Sequence, residues 1–343
     1  MERKKVRKNR KEQQEMNLGK VSQTVYRRSI LKQLNTDADT ALLRPGQEES
    51  CYGIRAAEGE NVLSCDVSLY GNEKDLCVFA IAQAANHLSS RGAEVKGVSV
   101  QIMLPDYAFE SRLKAMMAAA REAAEEQEIQ ILAAEAQAVP LIRTTIVHVT
   151  AVGTCAGDPV LSRTAQADQD IVLVNHIGLE GTLRIKRAKE AELSERFIPA
   201  FLNKIETYRS ELFAHREMRA AAAIGVSAMH QITDGGILAA LWNLAEGAGI
   251  GLHADLRKMT VRQETIEVCE CFHLNPYQLT SAGCVLAVTP KGEELADTLN
   301  RKGMTAAVIG RTTGGNDRII MNGGERRFLD RPAPDELTQI FGV

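Results

Sequence analysis

No stretch of the 343-residue chain holds the roughly 20 consecutive apolar residues that a membrane-crossing helix needs, so a bilayer-embedded protein is not expected. The segment Met1 to Glu12, MERKKVRKNRKE, is dense in Arg and Lys but lacks the apolar core that a secretory signal carries behind its charges. Export is therefore not expected, and the cytoplasm is the expected location. Nor does any aromatic residue interleave with these charges to stack on bases, which favours a solvated tail over residues 1–19 rather than a nucleic-acid arm. Charge of one sign does not dominate: the net charge of -3 gives no global field for nucleic acid or an anionic membrane. The seven cysteines, an odd and scattered set, make no disulfide framework and point to a reducing compartment. Neither a complete Walker nor a complete Rossmann fingerprint occurs, which disfavours ordinary P-loop and dehydrogenase chemistry.

What is present is an ordinary globular composition, 45% hydrophobic and 25% charged, in a chain long enough for two domains. Val21 to Leu34 reads as a helix, and the Gly- and Pro-rich passage Leu43 to Asn61 as a loop. Val62 to Val67 suggests a strand ending at Asp66, and Lys74 to Arg91 a helix stopped by Gly92. Strict alternation from Gly97 to Leu104 predicts a half-buried strand, and Ala108 to Gln127, rich in helix formers, predicts a helix. Ile129 to Leu132 and Thr144 to Val152 add two strands. The polar stretch 157–170 reads as a linker between a domain over 20–156 and a second over 171–332, with 333–343 as a terminal tail. In the second half, helices are expected around 188–209, 237–248 and 262–273, and strands at 171–174, 285–288, 307–309 and 318–321. Strands alternating with helices make both halves α/β.

Several segments can carry chemistry. In AMHQITDGGILAA (Ala228 to Ala240), Asp234, Gly235 and Gly236 stand at a helix start, where backbone amides and the helix dipole favour an anion; an ordinary helix cap accounts for them as well. NHIGLEGT (Asn175 to Thr182) reads as a ligand loop at a strand's carboxyl end or as a plain turn. Asp66 and Glu135, each read as ending a strand, could share a divalent cation if their strands are neighbours. His87, beside Asn86, is a conceivable general base or a half-buried structural histidine. Cys269 and Cys271, two apart on a helix, point to different faces and are expected to be buried thiols rather than metal ligands.

Taken in order, VYRRSILKQL, VLSCDVS, AIAQAANHLSSRGAEVKGVSVQIMLP, TTIVHVTAVGT, NHIGLEGT, AMHQITDGGILAALWNLAEGAGIGL and ETIEVCECFHLNPYQLTSAGCVLAV resemble one superfamily. It joins aminoimidazole ribonucleotide (AIR) synthase, thiamine-phosphate kinase, selenophosphate synthetase and the hydrogenase-maturation carbamoyl dehydratase, with the last branch nearest. The resemblance covers most of 20–332. It implies a two-domain fold whose first domains pair into a dimeric β-barrel, an α/β sandwich as second domain, a homodimer, and ATP with Mg2+ in a cleft. It also implies phosphoryl transfer to an amide or similar oxygen of a small-molecule or protein-borne acceptor. Carried onto this chain, it gives Asp66 and Glu135 as metal ligands and Asp66, Asn86, Glu135, Asp234, Gly235 and Gly236 as nucleotide contacts. The chain departs from the pattern at Ser50, His87 and Ala134, which implies an eroded acidic site and, as the alternative, a non-catalytic sensor or assembly partner. The branch's carboxyl-terminal cysteine has no counterpart, since the last cysteine is Cys284.

Overall fold

A computed structural model describes residues 19–34, 41–43, 46, 48–56 and 59–342. The basic run Met1 to Glu12 lies outside them. Residues up to Asn35 form a unit of their own. Its described part is helix α1 (Gln23–Ser29), capped by the Ser22 hydroxyl, which accepts from the Val25 amide, followed by a 3-10 turn at Leu31–Gln33. The helix expected over 21–34 is thus shorter and finishes in a tighter turn.

The rest of the chain is built on two mixed sheets. The first half runs β1 (Ala41–Leu43), β2 (Cys51–Arg55), β3 (Glu60–Gly71), α2 (Leu76–Ser89), β4 (Glu94–Pro105), α3 (Glu110–Glu126), β5 (Gln130–Val139) and β6 (Thr145–Ala156). Its sheet order is β1-β2-β3-β6-β4-β5, antiparallel except for the parallel β4–β5 pair. Period-2 alternation sends Leu63, Cys65 and Val67 of β3, Val98, Val100 and Ile102 of β4, and Val147, Val149 and Ala151 of β6 to one face. There they pack with Cys77, Ile81, Ala84 and Leu88 of α2 and Met116 and Ala120 of α3. The opposite face carries Asp66, Ser68, Tyr70, His148 and Thr150, exposed or half-buried among the described residues.

The second half runs β7 (Asp170–Val174), α4 (Leu179–Ala188), α5 (Glu190–Arg196), α6 (Pro199–Glu206), α7 (His215–Ile224), β8 (Ala228–Gln231), α8 (Gly236–Ala248), β9 (Gly251–Asp255), α9 (Gln263–Cys271), β10 (Val285–Thr289), α10 (Gly292–Arg301), β11 (Ala306–Thr313), β12 (Arg318–Asn322), β13 (Glu325–Phe328) and α11 (Leu337–Phe341). The sheet order is β13-β12-β9-β11-β7-β10-β8. The fully buried pattern of β7, β8 and β10 fits a sheet covered on both faces, by two separate apolar clusters. A further cluster joins Val78, Phe79 and Ala82 of α2 to Leu179 and Leu183 of α4, so the core is continuous between the halves.

Two sequence expectations change here. The polar stretch 157–170 is packed rather than free, with Leu161, Ser162, Ala165 and Gln169 buried. The terminal segment is docked as well: Asp335 and Leu337 are buried.

Candidate functional site

β7 and β8 both run antiparallel to β10, so their carboxyl ends and the start of β10 share one edge of the second sheet. Three loops meet there: 175–178, 232–235 and 280–284. The edge faces α2 of the first half through a buried polar seam. Glu180, fully buried, accepts from the Gln83 amide at 2.8 and 2.9 Å, from the Thr280 hydroxyl at 3.0 Å and from the Ala282 amide at 3.0 Å. Burial pushes its carboxyl up, opposed by Arg184 and these hydrogen bonds. Arg184, one helical turn on, donates to Glu73 at 2.9 Å and to the Tyr70 carbonyl at 2.7 Å, between the rings of Phe79 and Phe341. NHIGLEGT therefore serves as a structural joint: its acid faces protein donors.

The Asp234–Gly236 turn heads α8. Gly235 and Gly236 both have positive φ, 80° and 65°, and a Cβ on Gly236 would lie 2.5 Å from the Tyr277 carbonyl oxygen. The Gly236 amide donates to the Thr233 carbonyl at 2.9 Å. The Gly235 amide donates at 2.9 Å to Asp335, whose other oxygen accepts from Leu337 at 2.9 Å. The turn thus receives an anion, but the anion is a carboxylate of the chain's own terminal segment. Burial raises the Asp335 carboxyl to about 7, with the charge of Asp234 adding to the rise and the two amides opposing it. Beside the turn lies a cleft of about 200 Å³ lined in part by Gly235, Asn275, Gln278, Arg327 and Arg331. Gln231, three residues before Asp234 and 1% exposed, has no hydrogen-bond partner for either side-chain atom.

The first-half residues lie elsewhere. Asn86 is buried in α2, where its amide donates to the Leu212 carbonyl at 2.7 Å and accepts from the Ala214 amide at 2.9 Å. His87 is buried beside it. Asp66 does not leave a strand: it sits in the middle of β3 on the open face, accepting from Tyr52 at 2.8 Å and Thr150 at 2.7 Å. Glu135 likewise lies within β5 and is exposed. Their strands are not neighbours, because β6 and β4 stand between them. The registers Asp66↔Thr150, Thr150↔Ser99 and Ser99↔Ala133 put Ala133 three strand spacings from Asp66, roughly 14 Å, with Glu135 two residues further along β5. Among the described residues no three His, Cys, Asp or Glu groups gather to hold a metal. Glu49, the acid ahead of Ser50, is paired with the buried Arg91 at 3.1 Å. Among the described residues, Asp66 and Glu135 therefore do not come together around one cation. Cys269 is buried, with its thiol pushed up to about 12 by burial.

Sequence reasoning missed Gln83, Arg184, Asp335, Tyr52 and His148. Only Arg184 left a signal, its i,i+4 spacing from Glu180. The others depend on strand register or on contacts across about a hundred residues.

Comparison with known proteins agrees with this architecture. Residues 166–322 match the family described as AIR synthase related protein, C-terminal domain. Across 339 residues, 94% of this chain and 97% of the relative, the chain is 22% identical to a Methanocaldococcus jannaschii protein named for hydrogenase expression/formation. A 127-residue stretch, 35% of this chain and 37% of the relative, is 30% identical to carbamoyl dehydratase HypE of Rhodobacter capsulatus. The fold matches the hydrogenase maturation protein HypE in complex with ATP at a TM-score of 0.65 and 17% identity, covering 95% of this chain and 98% of that one. Residues 166–322 are thus an AIR synthase-related C-terminal domain. The relatives that the chain resembles include members of the hydrogenase-maturation branch, HypE among them.

Proposed function

We propose that the protein binds a nucleotide as a homodimer and acts as a sensor or assembly partner, with the magnesium-dependent phosphoryl transfer that the family resemblance implies lost. The observation that carries the second part is the separation of Asp66 from Glu135 by two intervening strands, with both Asp66 oxygens already accepting hydrogen bonds. Magnesium prefers several oxygens in a near-octahedral set, and this surface offers one carboxylate at a time. Asn86, committed to Leu212 and Ala214, is not free to contact a ligand.

Nucleotide binding is supported by the whole-length likeness to a HypE that holds ATP, and by the polar edge around Asp234, Gly235 and Gly236. The buried, unpartnered Gln231 amide adds to it, since such groups are uncommon unless something accepts them. The homodimer reading rests on the uncovered face of the first sheet, where Tyr52, Ile54 and Tyr70 stand exposed beside the polar network. No helix among the described residues is long and apolar enough to cross a membrane.

A second reading, an ATP-dependent enzyme that activates an amide or similar oxygen, is favoured by the 94% coverage in the match to the hydrogenase expression/formation relative. One paired experiment separates them. Thermal unfolding with ATP should rise in midpoint, since a ligand at a hundred times its dissociation constant stabilises the folded state by about 2.7 kcal/mol, while no phosphate is released. Phosphate release that requires magnesium would establish the enzyme reading instead.

A further inference from the structure

We propose that Cys51 and Cys65 form a redox-sensitive modification site, in which a small-molecule disulfide oxidises the two thiols to a bond that ties β2 to β3. The strands run antiparallel in unbroken register from Cys51↔Cys65 to Arg55↔Asn61, so the two cysteines stand directly opposite each other. The Ala56 amide donates to the Glu60 carbonyl at 3.0 Å, which continues that register and marks 56 and 60 as a hydrogen-bonded pair. Hydrogen-bonded and non-hydrogen-bonded pairs alternate along an antiparallel ladder, and Cys51 lies an odd number of positions away. Cys51 and Cys65 are therefore a non-hydrogen-bonded pair, with Cα atoms about 4.5 Å apart and side chains on one face. Disulfides span Cα separations of about 4.4–6.8 Å, so the bond fits the strands where they stand.

Both side chains turn to the core, 1% and 0% exposed at the residue, and both are free thiols. A second copy over the opposite face of the sheet leaves their access unchanged, because the route to them is the start of β2. Among the described residues, β1 pairs with Gly53 and Ile54 and not with Cys51, the first residue of β2. A strand end held on one side opens at lower free energy than a strand interior, so Cys51 meets the oxidant first. Its thiolate attacks one sulfur of the small disulfide, releasing one small thiolate and leaving a mixed disulfide on Cys51. The Cys65 thiolate then attacks Cys51 Sγ, and the second small thiolate leaves. Two electrons pass from the protein thiols to the small disulfide, and their two protons go to the two released thiolates. Excess small thiol reverses both steps, which suits a transient bond in a reducing compartment.

Cys155 is out of reach: it faces Asn61, four residues along β3 from Cys65, roughly 13 Å away. A single buried cysteine commonly acts as a small hydrophobe, whereas two at one close cross-strand pair also hold the geometry of a bond. The bond pins the start of β2. Glu49, which accepts from the Cys51 amide at 3.4 Å and pairs with the buried Arg91 at 3.1 Å, is held with it. This site holds or fails independently of nucleotide binding and of the homodimer.

The test is to treat the full chain with glutathione disulfide, both folded and during refolding from urea, then to count thiols in denaturant and map the linked peptides by mass spectrometry. The seven thiols should fall to five, with Cys51 joined to Cys65, and dithiothreitol should restore all seven. Hydrogen exchange at the Tyr52 to Arg55 amides should slow by roughly tenfold or more on oxidation, since closing a loop of about 15 residues removes open states. Cys51→Ala and Cys65→Ala should each abolish the bridge and the slowing, while Cys155→Ala keeps both. Unfolding midpoints of the reduced variants verify that each folds. Seven thiols after both treatments, or a bridge between other cysteines, would overturn the proposal, as would equal β2 exchange in the oxidised and reduced protein.

Discussion

Asp335 and Arg184 show how buried charge in this protein is committed to holding segments together. Arg184, 5% exposed at its side chain, is paired with Glu73, 1% exposed. Arg184→Ala would leave that carboxylate buried without its cation, a loss of roughly 3–5 kcal/mol to be read from urea unfolding. For Asp335 the sign follows from its raised folded value. The ordinary value is 3.8 and burial lifts it to about 7, so the folded protein holds the proton longer than the unfolded chain. Its contribution is fully present below about pH 4 and is lost as pH climbs to about 7. Asp335→Asn should flatten the fall in stability between those limits, measured by denaturant midpoints across the range; an unchanged slope would assign the effect to other groups. The Asp234–Gly236 turn was legible from residue types alone, as a helix head able to receive an anion. Its partner was not, because Asp335 stands 100 residues away in sequence and no local pattern marks it.

Among the elements, the strands that carry Asp66 and Glu135 run longer than their sequences suggest. In β5, the segment Ala133 to Ala138 is dominated by alanine, a residue of low strand propensity, and the strand pattern stops at Leu132. Parallel pairing with β4 carries it on to Val139. In β3, a polar residue at every second position reads as a strand end, whereas it marks the uncovered face. Both ends have one cause: in the sequence alone, an acid in mid-strand looks like an acid in a loop. α8, by contrast, begins where the paired glycines said it would. Gly236→Ala should destabilise the protein by roughly 1–3 kcal/mol, because alanine at positive φ is strained and its Cβ would press on the Tyr277 carbonyl. A thermal midpoint equal to wild type would show that the turn can relax.

Across the whole molecule, alternating strands and helices gave away the α/β class, and the ordered segments of the second half pointed to the AIR synthase-related C-terminal domain. Strand order was beyond reach, since the placement of β6 between β3 and β4 joins segments about eighty residues apart, and no local period encodes such pairing. That order decides the function proposed here: it keeps Asp66 from Glu135. The uncovered face of the first sheet should be closed by a second copy. Light scattering on the purified chain is expected to give twice the chain mass of 37.5 kDa, and a monomer at all concentrations would contradict it.

The most direct test of a nucleotide-binding protein without magnesium-dependent chemistry is calorimetric titration with a non-hydrolysable ATP analogue, with and without magnesium. Saturable binding of equal strength in both conditions is expected. Binding that appears only with magnesium would contradict the lost metal site, and no binding in either condition would contradict the nucleotide site itself.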